Sequence, residues 1–402
     1  MENYILEWLS LIFRWLHVIT GIAWIGASFY FIWLDNQLET PPEWKRMEGI
    51  KGELWAIHGG GIYEVSKYAL APAKMPETLH WFKWEAYTTW LTGMVLLTLI
   101  YYFGAESYLI EPDIASLEKS QAIILGLSSI FGSYIIYEFL CRGLAGKDSR
   151  YLAIILIMIG AVIAFTLTQL FSGRGAYIHF GAIIGTLMVG NVFRVIMPSQ
   201  RALLNAIEKQ ETLDPEWGQR AKLHSTHNTY LTLPIIFIMI STHYPMTYTH
   251  SYNWIILIAI IAITASARHF FVLRHKRIFK PIILLGALSC TLILAILINP
   301  ISSSRMIDVP TTDPNTLALN VRDIVERRCS SCHSSNPTDD VFTVAAAGLK
   351  LDTMTEVRQW ASRIKVRTVD SKDMPFMNKT GMLPEERETL GQWILVGAPL
   401  PN

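Results

Sequence analysis

The stretch from Arg14 to Phe31 reads RWLHVITGIAWIGASFYF and lies within an apolar run that extends from about Trp8 to Trp33. A helix of about 20 apolar residues crosses the hydrocarbon core of a bilayer, so this run is long enough to span a membrane. It is longer than the apolar core of a secretory signal, and no Lys or Arg precedes it. The stretch therefore predicts a transmembrane helix rather than a cleaved leader.

Seven further apolar segments follow the first one along the chain. The approximate limits of the eight are 8–34, 80–103, 120–140, 151–171, 177–197, 223–243, 251–273 and 280–299. Charged residues make up 17% of the 402 residues, whereas a soluble domain has about 25%. Backbone groups in lipid must be paired internally, and the segments lack the alternation of barrel strands. We therefore predict an all-α fold in which residues 1–299 form a bundle of eight transmembrane helices.

Lysine and arginine are unevenly distributed among the loops between these segments. One alternate set of loops contains sixteen of them, whereas the other set contains only Lys119 and Arg174. The positive-inside rule places the first set in the cytoplasm. We therefore predict a multi-pass membrane protein with both termini on the outer side, which in a bacterial inner (plasma) membrane is the periplasmic side. Membrane lipid is an expected partner, and the net charge of +1 argues against nucleic-acid binding.

The last part of the chain differs in composition and carries a cofactor motif. A linker at 300–314 precedes residues 315–402, which mix polar and apolar residues as a small soluble domain does. The stretch at 327–337 reads RRCSSCHSSNP and contains a C-x-x-C-H motif. Such a motif attaches a c-type haem through Cys329 and Cys332, with His333 as an axial ligand of the iron. Because residues 334–402 contain no further Cys or His for a zinc site, we predict one covalent haem c in a small cytochrome c domain on the periplasmic side.

The second axial ligand of this haem is expected to be a methionine, because no His follows His333. Met374 is part of a Met-Pro pair in a loop before the final helix, which resembles the axial methionine of small cytochromes c. Met377 is the alternative. Between the motif and this loop, Asp352 is predicted to cap a helix that runs through Val357.

Histidines within the apolar segments are candidates for a site in the membrane, since ionisable groups are costly in lipid. His17 lies in the middle of the first segment, where a packed partner or a cofactor is expected, and His179 lies in the outer half of the fifth. His224 and His227 share one helix face at the spacing i, i+3. That pair suits a metal or a substrate, and it equally suits a hydrated membrane boundary.

Two other stretches contain candidate ligand-binding residues. His58 precedes three glycines, Gly59 to Gly61, whose backbone can approach a ligand closely. Arg194 follows Asn191 by three residues on a predicted helix, and a guanidinium can bind a planar anion with two hydrogen bonds.

Several of these stretches together resemble one family. They are WLHVITGIAWIGASFYFIWLDN, LWAIHGGGIYEVSKY, HWFKWEAYTTW, GTLMVGNVFRVIMPSQR, HSTHNTYLTLPIIFIMISTHYP and MPFMNKTGMLPEERETLGQWI. The chain resembles the bacterial membrane-bound, cytochrome c-linked urate oxidase (urate hydroxylase) family over almost its whole length. The resemblance implies oxidation of urate to 5-hydroxyisourate, with electrons passed to the c-type haem and then to a downstream respiratory electron acceptor instead of oxygen. Catalytic candidates lie in the resembling stretches: His58, Asn191, Arg194, His227 and Asn228.

The position of the substrate decides whether a second cofactor is needed. If urate binds on the cytoplasmic side, its electrons must cross about 30 Å of membrane to reach the haem. That route requires an intermediate centre, for which a haem b between His17 and His179 is the candidate. If urate binds at the outer face, the haem c is sufficient. The sequence leaves both routes open.

Two other functions compete with the enzyme. One is a membrane-anchored cytochrome c that acts as an electron-relay subunit for another dehydrogenase or oxidase. The other is a transporter with a redox-sensing tail. A relay needs only one anchoring span, and transporters often contain inverted repeats, which are not evident here. The enzyme is therefore the preferred prediction.

Overall fold

The structure is a computed structural model that describes residues 2–72, 74–112, 114–144, 149–212, 214–298, 313–342 and 344–401. It is mostly helical, at 70%. A helix lies on each of the eight predicted apolar segments. The described helices before residue 299 are α1 Glu2–Gln37, α2 Glu43–Met47, α3 Trp84–Leu96, α4 Ala105–Tyr108, α5 Lys119–Gly143, α6 Ser149–Leu170, α7 Gly173–Gly190, α8 Met197–Glu208, α9 Pro215–Ser241, α10 Pro245–Tyr248, α11 Asn253–His275 and α12 Pro281–Leu297.

The helices include membrane-spanning candidates, so this is a membrane protein. Within the described ranges, five stretches are long and apolar enough to cross a bilayer: Trp8–Gln37, Lys119–Gly143, Arg150–Leu170, Gly173–Glu208 and Asn253–His275. The other predicted spans correspond to α3, α9 and α12. Of these, α3 and α12 have only 13 and 17 residues, and α9 is polar in its first half. The total of eight spans therefore stays a prediction.

Helix α7 forms the centre of the bundle. It packs against α3, α5, α6 and α9, and most of its residues are buried, as expected for a helix that is apolar on every side. A π-helical segment, Asn191–Ile196, joins α7 to α8. At the end of α7, Gly190 lies so close to the ring of Tyr134 that a Cβ there would overlap it. This approach of α7 to α5 brings the polar side chains after Gly190 into the interior.

The all-α prediction is wrong for residues 50–68, which form an antiparallel β-hairpin. Its strands are β1 Ile50–His58 and β2 Gly61–Tyr68. Gly59 and Gly60 form the two-residue turn, with φ angles of 58° and 81°. Hairpin turns of this kind require positive φ at both central residues, which glycine adopts without strain. The glycines therefore serve the turn.

The hairpin is attached to α2 by a buried cation. The side chain of Lys45 forms ion pairs with Glu53 of β1 and Glu64 of β2. The hydrogen bonds that Lys45 donates to both carboxylates raise its pKa. At the turn end of the hairpin, the paired residues Ile57 and Ile62 are exposed. The segment between α1 and α3 is thus ordered by charge pairing near α2 and is apolar near its turn.

The C-terminal domain has its own core. Its helices are α13 Pro314–Arg328, α14 Met354–Gln359, α15 Ala361–Ile364 and α16 Pro384–Leu395. Helix α13 packs against α16, and their apolar faces bury Leu317, Val321, Leu390 and Trp393. Residues 299–312, which contain most of the predicted linker, lie outside the described residues. The predicted domain limits 1–299, 300–314 and 315–402 therefore stay predictions.

The cap of α14 differs from the prediction. The Thr353 hydroxyl accepts a hydrogen bond from the Glu356 backbone N–H at 3.3 Å, and the Glu356 carboxylate accepts one from the Thr353 N–H at 2.9 Å. These reciprocal bonds form a capping box. Asp352 instead accepts a hydrogen bond from the backbone N–H of Ser335 at 2.9 Å. It ties the loop that follows His333 to the start of α14.

Candidate functional site

The C-x-x-C-H motif forms one tight turn at the end of α13. Cys329 ends the helix, and its carbonyl oxygen accepts hydrogen bonds from the backbone N–H groups of Cys332 and His333 at 3.2 and 2.9 Å. Both cysteines are free thiols. Burial raises the pKa of Cys329 to about 12 and raises that of Cys332, so both remain protonated thiols near neutral pH.

The motif faces an apolar cavity of about 300 Å³, here called the haem-motif cavity. Cys329, Cys332 and His333 line one side, and Met374 lines it from the loop before α16. The Nδ1 of His333 lies 3.3 Å from the carbonyl oxygen of Leu349. A carbonyl only accepts, so Nδ1 carries the proton and Nε2 is left with a lone pair. Two thiols, an imidazole nitrogen and a thioether around one apolar cavity fit the donor set of a c-type haem.

The loop that contains Met374 is held by a buried arginine of α16. Arg387 donates hydrogen bonds to the carbonyl oxygens of Thr368 and Met374, at 2.5 and 2.7 Å. This fixes the backbone on both sides of the loop. The side chain of the alternative ligand, Met377, lies outside the described residues, so the choice between the two methionines stays a prediction in which Met374 lines the cavity.

The C-terminal domain is docked on one end of the helical bundle by ion pairs. Asp373 pairs with Arg174 at the start of α7 and, at 2.9 Å, with Arg367 of its own domain. Lys372 pairs with Glu111 of the loop after α4. These pairs are adjacent to Met374 in the chain. The haem-motif cavity is therefore held close to the bundle end whose loops contain few Lys and Arg residues.

A polar cluster, here called the intramembrane cluster, lies inside the bundle between α5, the end of α7 and α9. Its members are Tyr137, Cys141, Asn191, His224, His227 and Asn228. The hydroxyl of Tyr137 is 2.7 Å from Nδ1 of His227 and 3.3 Å from Nδ1 of His224. Cys141 is one turn further along α5. One potential ligand atom from each of Cys141, His224 and His227 lies within 4.8 Å of the others. Imidazole and thiolate donors of this kind suit zinc or copper.

The direction of the hydrogen bonds in this intramembrane cluster is set by one carbonyl. The amide of Asn228 donates to the carbonyl oxygen of Met188 at 3.0 Å, and its own oxygen accepts from the amide of Asn191 at 2.8 Å. The Asn191 oxygen is 2.7 Å from Nδ1 of His224. Because the chain ends on a carbonyl, which only accepts, His224 must donate from Nδ1. Its Nε2 is left as an acceptor that can take a proton or bind a metal.

The structure brings together four of the candidates from the sequence: Asn191, His224, His227 and Asn228. Arg194 is exposed and lies near Tyr134, at the edge of the cluster. His58 is exposed beside the hairpin turn, and among the described residues it forms no hydrogen bond with the cluster. Tyr137 and Cys141 were not singled out by the sequence. Their spacing of four residues, one helical turn on α5, is the sequence pattern that indicates a shared helix face.

His17 contacts α3, and His179 contacts the far end of the π-helical segment Leu97–Tyr102 that continues α3. Nδ1 of His17 is 2.9 Å from the Thr89 carbonyl oxygen and 3.1 Å from the Thr92 hydroxyl, whereas Nε2 of His179 is 3.3 Å from the Tyr102 hydroxyl. The ten residues from Thr92 to Tyr102 rise about 15 Å. Two axial ligands must meet at one iron atom. This pair therefore does not fit the predicted haem b.

Among the described residues, one buried cation of the bundle has no ion partner. Arg268 of α11 is fully buried; its Nε donates to the Thr229 carbonyl oxygen at 3.3 Å, and its guanidinium stacks on Phe29 at 3.5 Å. Its two terminal nitrogens have no hydrogen-bond partner among the described residues. Arg268 thus joins α1, α9 and α11 at a cost in desolvation.

A family model described as Urate oxidase N-terminal matches residues 3–299. The chain belongs to this urate oxidase family. The matched range includes the bundle, the hairpin and the intramembrane cluster, and it ends before the C-terminal domain. Membership in the urate oxidase family links the chain to urate-related oxidation and hence to oxidoreductase activity.

Other matches to known proteins are short. The accessory Sec system protein translocase subunit SecY2 of Staphylococcus aureus, from strains Newman and NCTC 8325 / PS 47, is 28% identical over 74 residues. The match covers 18% of this chain and 18% of those proteins. No solved structure matches. The urate oxidase family match is therefore the comparison that bears on function.

Proposed function

We propose that this urate oxidase-family protein oxidises urate to 5-hydroxyisourate and passes the electrons to a c-type haem held by Cys329, Cys332 and His333. Urate and water yield 5-hydroxyisourate, two protons and two electrons. The haem, when bound, supplies an acceptor for one electron at a time. Each urate therefore requires two transfers, and a downstream respiratory electron acceptor must reoxidise the iron. Oxygen is not consumed, so hydrogen peroxide is not a product.

The observation that carries the proposal is the docking of the haem-motif cavity on the family domain. Met374 lines this cavity, and the next residue before it, Asp373, is paired with Arg174 at the start of α7. An electron acceptor in the cavity is thus held against the domain that gives the family its name. A relay for a separate enzyme needs an anchor but no such family domain, so the docking favours the enzyme.

The residues around the cavity prepare it for this role. His333 is oriented by the Leu349 carbonyl, so that Nε2 is free for the iron. Arg387 holds the loop that presents Met374. The thiols of Cys329 and Cys332 lie one turn apart, which is the spacing for covalent attachment. A methionine ligand raises the reduction potential of a haem, as suits an acceptor of electrons.

The docking also supports the proposed orientation in the bacterial inner membrane. The C-terminal domain contacts Glu111 and Arg174, which lie on the side whose loops are poor in Lys and Arg. The positive-inside rule assigns that side to the periplasm. The docking and the charge distribution therefore support the same compartment, the periplasm, for the C-terminal domain.

The first prediction concerns electron acceptance. Urate added without oxygen to the oxidised full-length protein in detergent is expected to produce the reduced-haem spectrum, with two haems reduced per urate consumed and no hydrogen peroxide after air is admitted. Cys329→Ser together with Cys332→Ser should abolish covalent haem staining and reduction by urate. Cys290→Ser is the matched control, because this cysteine is exposed on α12 and should leave both intact. If dithionite reduced the haem of the wild-type protein but urate did not, the proposed enzymatic activity would be wrong and the electron-relay function would take its place.

A further inference from the structure

The intramembrane cluster lies far from the haem-motif cavity. Asn191 of the cluster directly follows α7, whereas Arg174 at the start of α7 is paired with Asp373 of the C-terminal domain. The helix rises about 25 Å over this length. His17 and His179 do not meet between these ends. A substrate at the cluster would therefore be remote from the acceptor, and a closer position is required.

A second cavity, here called the interdomain cavity, lies where the C-terminal domain meets the bundle. Its volume is about 620 Å³. Small-molecule sites of about 300–1,000 Å³ are common, and they occur preferentially at domain interfaces. Thr168 and Gln169 at the end of α6 and Ser251 before α11 contribute polar groups from the bundle, and Ser371 and Lys372 contribute them from the C-terminal domain.

One chain segment separates the interdomain cavity from the haem-motif cavity. Ser371 and Lys372 line the first, and Thr368 and Met374 line the second. Three peptide units connect Ser371 to Met374, so their Cα atoms are at most about 11 Å apart. A molecule in the interdomain cavity is therefore a near neighbour of the expected axial ligand, without any intermediate centre.

A tyrosine that lines the interdomain cavity has a hydroxyl group without a hydrogen-bond partner among the described residues. Tyr248 of α10 lines the cavity and is only 2% exposed, and within the described chain its hydroxyl forms no hydrogen bond. Burial raises the pKa of Tyr248, so the hydroxyl retains its proton as a donor. A buried polar group without a partner costs free energy. The hydroxyl is buried behind the cavity surface, so a small rotation of the ring would let it donate to a ligand oxygen in the cavity.

We propose that urate binds in the interdomain cavity and gives up its electrons there, with Tyr248 donating a hydrogen bond to a substrate oxygen. This inference rests on the proposed function and gives the substrate a position. The ligand class is a planar oxopurine, whose edge alternates carbonyl oxygens with N–H groups that the Gln169 amide can pair with. The two cations in the cavity wall, Arg174 and Lys372, each have a carboxylate partner. Recognition is therefore by hydrogen bonds more than by net charge.

The test measures binding of radiolabelled urate to the full-length holoprotein in detergent by equilibrium dialysis. Tyr248→Phe removes only the unpartnered hydroxyl. It should raise the Kd for urate about tenfold and leave the Tm without urate equal or higher. Tyr177→Phe is the matched control, because that buried hydroxyl already donates to the carbonyl oxygens of Thr247 and Asn253, at 2.9 and 2.7 Å. It should lower the Tm and change the Kd less than threefold.

A second variant fills the cavity. Gln169→Trp places an indole in the cavity from the end of α6 and should raise the Kd for urate more than tenfold. Thr166→Trp is its control, because Thr166 is exposed on the same helix and does not line the cavity. Both tryptophan variants should still be reduced by dithionite.

The outcomes separate the inference from the proposed function. Weaker binding in Tyr248→Phe and Gln169→Trp supports the cavity even if bound urate fails to reduce the haem, a failure that would count against the proposed function alone. If urate reduced the haem of the wild-type protein while both variants bound urate with the wild-type Kd, the interdomain cavity would be excluded as the urate site. The proposed function would stand. Absence of urate binding to the wild-type protein would overturn both.

Discussion

At the scale of single residues, the intramembrane cluster shows how one backbone group determines the state of a distant side chain. The carbonyl of Met188 accepts from Asn228, and the hydrogen bonds continue through Asn191 to His224. The sequence indicates that His224 and His227 share a face, because the i, i+3 spacing is local. It does not indicate that Asn191, from another helix, fixes the proton of His224 on Nδ1.

The second prediction follows from this chain. Asn191→Ala leaves the oxygen of Asn228 buried without its donor and leaves the Nδ1–H of His224 only the Tyr137 hydroxyl at 3.3 Å, which should lower the free energy of unfolding by about 1–3 kcal/mol. Thermal unfolding of the bundle in detergent measures the loss. Asn205→Ala on α8 is the control, since Asn205 is exposed and its replacement should change the Tm little.

The same variant also compares the two candidate positions for urate. With urate in the interdomain cavity, Asn191→Ala should change the Kd for urate less than threefold. A tenfold weaker affinity would show that the substrate sits at the intramembrane cluster instead.

At the scale of elements, the sequence predicts helices better than the short pieces between them. A continuous apolar run indicates a helix by its length, and all eight runs are helical. Gly59 and Gly60 are typical of a hairpin turn, yet the sequence does not decide for the hairpin at 50–68, because glycines equally suit a close approach of the backbone to a ligand. The cap of α14 was placed one residue early, at Asp352 instead of Thr353, because Asp352 is used by the loop after the haem motif.

The third prediction concerns the start of α16. Glu386 accepts a hydrogen bond from the Leu383 N–H at 2.8 Å and pairs with Arg327 and Arg328. Burial alone would raise the pKa of Glu386, but these partners lower it below its ordinary value. A carboxylate whose pKa is lower in the folded state stabilises the fold above the unfolded pKa, about 4.3, and loses this contribution as the pH falls through the folded pKa.

Glu386→Gln should therefore destabilise the C-terminal domain at pH 7 by about 1–3 kcal/mol and flatten its loss of stability below about pH 4. The midpoint of thermal unfolding, followed through the haem absorbance at several pH values, measures both effects. Glu388→Gln is the control on the same helix, because Glu388 is exposed. An unchanged acid dependence in Glu386→Gln would contradict the assigned role.

At the scale of the whole molecule, docking of the C-terminal domain decides how substrate and acceptor are related. The two domains have separate cores, yet Asp373 and Lys372 attach the loop next to Met374 to the bundle. The cavity that forms between them contains residues from both. Neither domain alone contains the complete interdomain cavity.

The fourth prediction tests this docking by reversing charges. Lys372→Glu places two carboxylates together at Glu111 and should slow reduction of the haem by urate about tenfold. The double variant Glu111→Lys with Lys372→Glu restores the opposite charges and should recover the rate to within about threefold of the wild type. Stopped-flow absorbance measures the rates, with dithionite reduction as the control. Equal rates in the single and the double variant would mean that this ion pair does not govern the transfer.

The sequence by itself determined the features that depend on neighbouring residues. These are the apolar helices, the asymmetric charge of the loops and the turn that holds Cys329, Cys332 and His333, because helix length and motif spacing are local properties. Only the tertiary structure decided which distant groups meet. It separated His17 from His179 and joined Asn191 to His224. It also left the hydroxyl of the cavity-lining Tyr248 without a partner among the described residues, because such contacts depend on which helices pack together and at which depth.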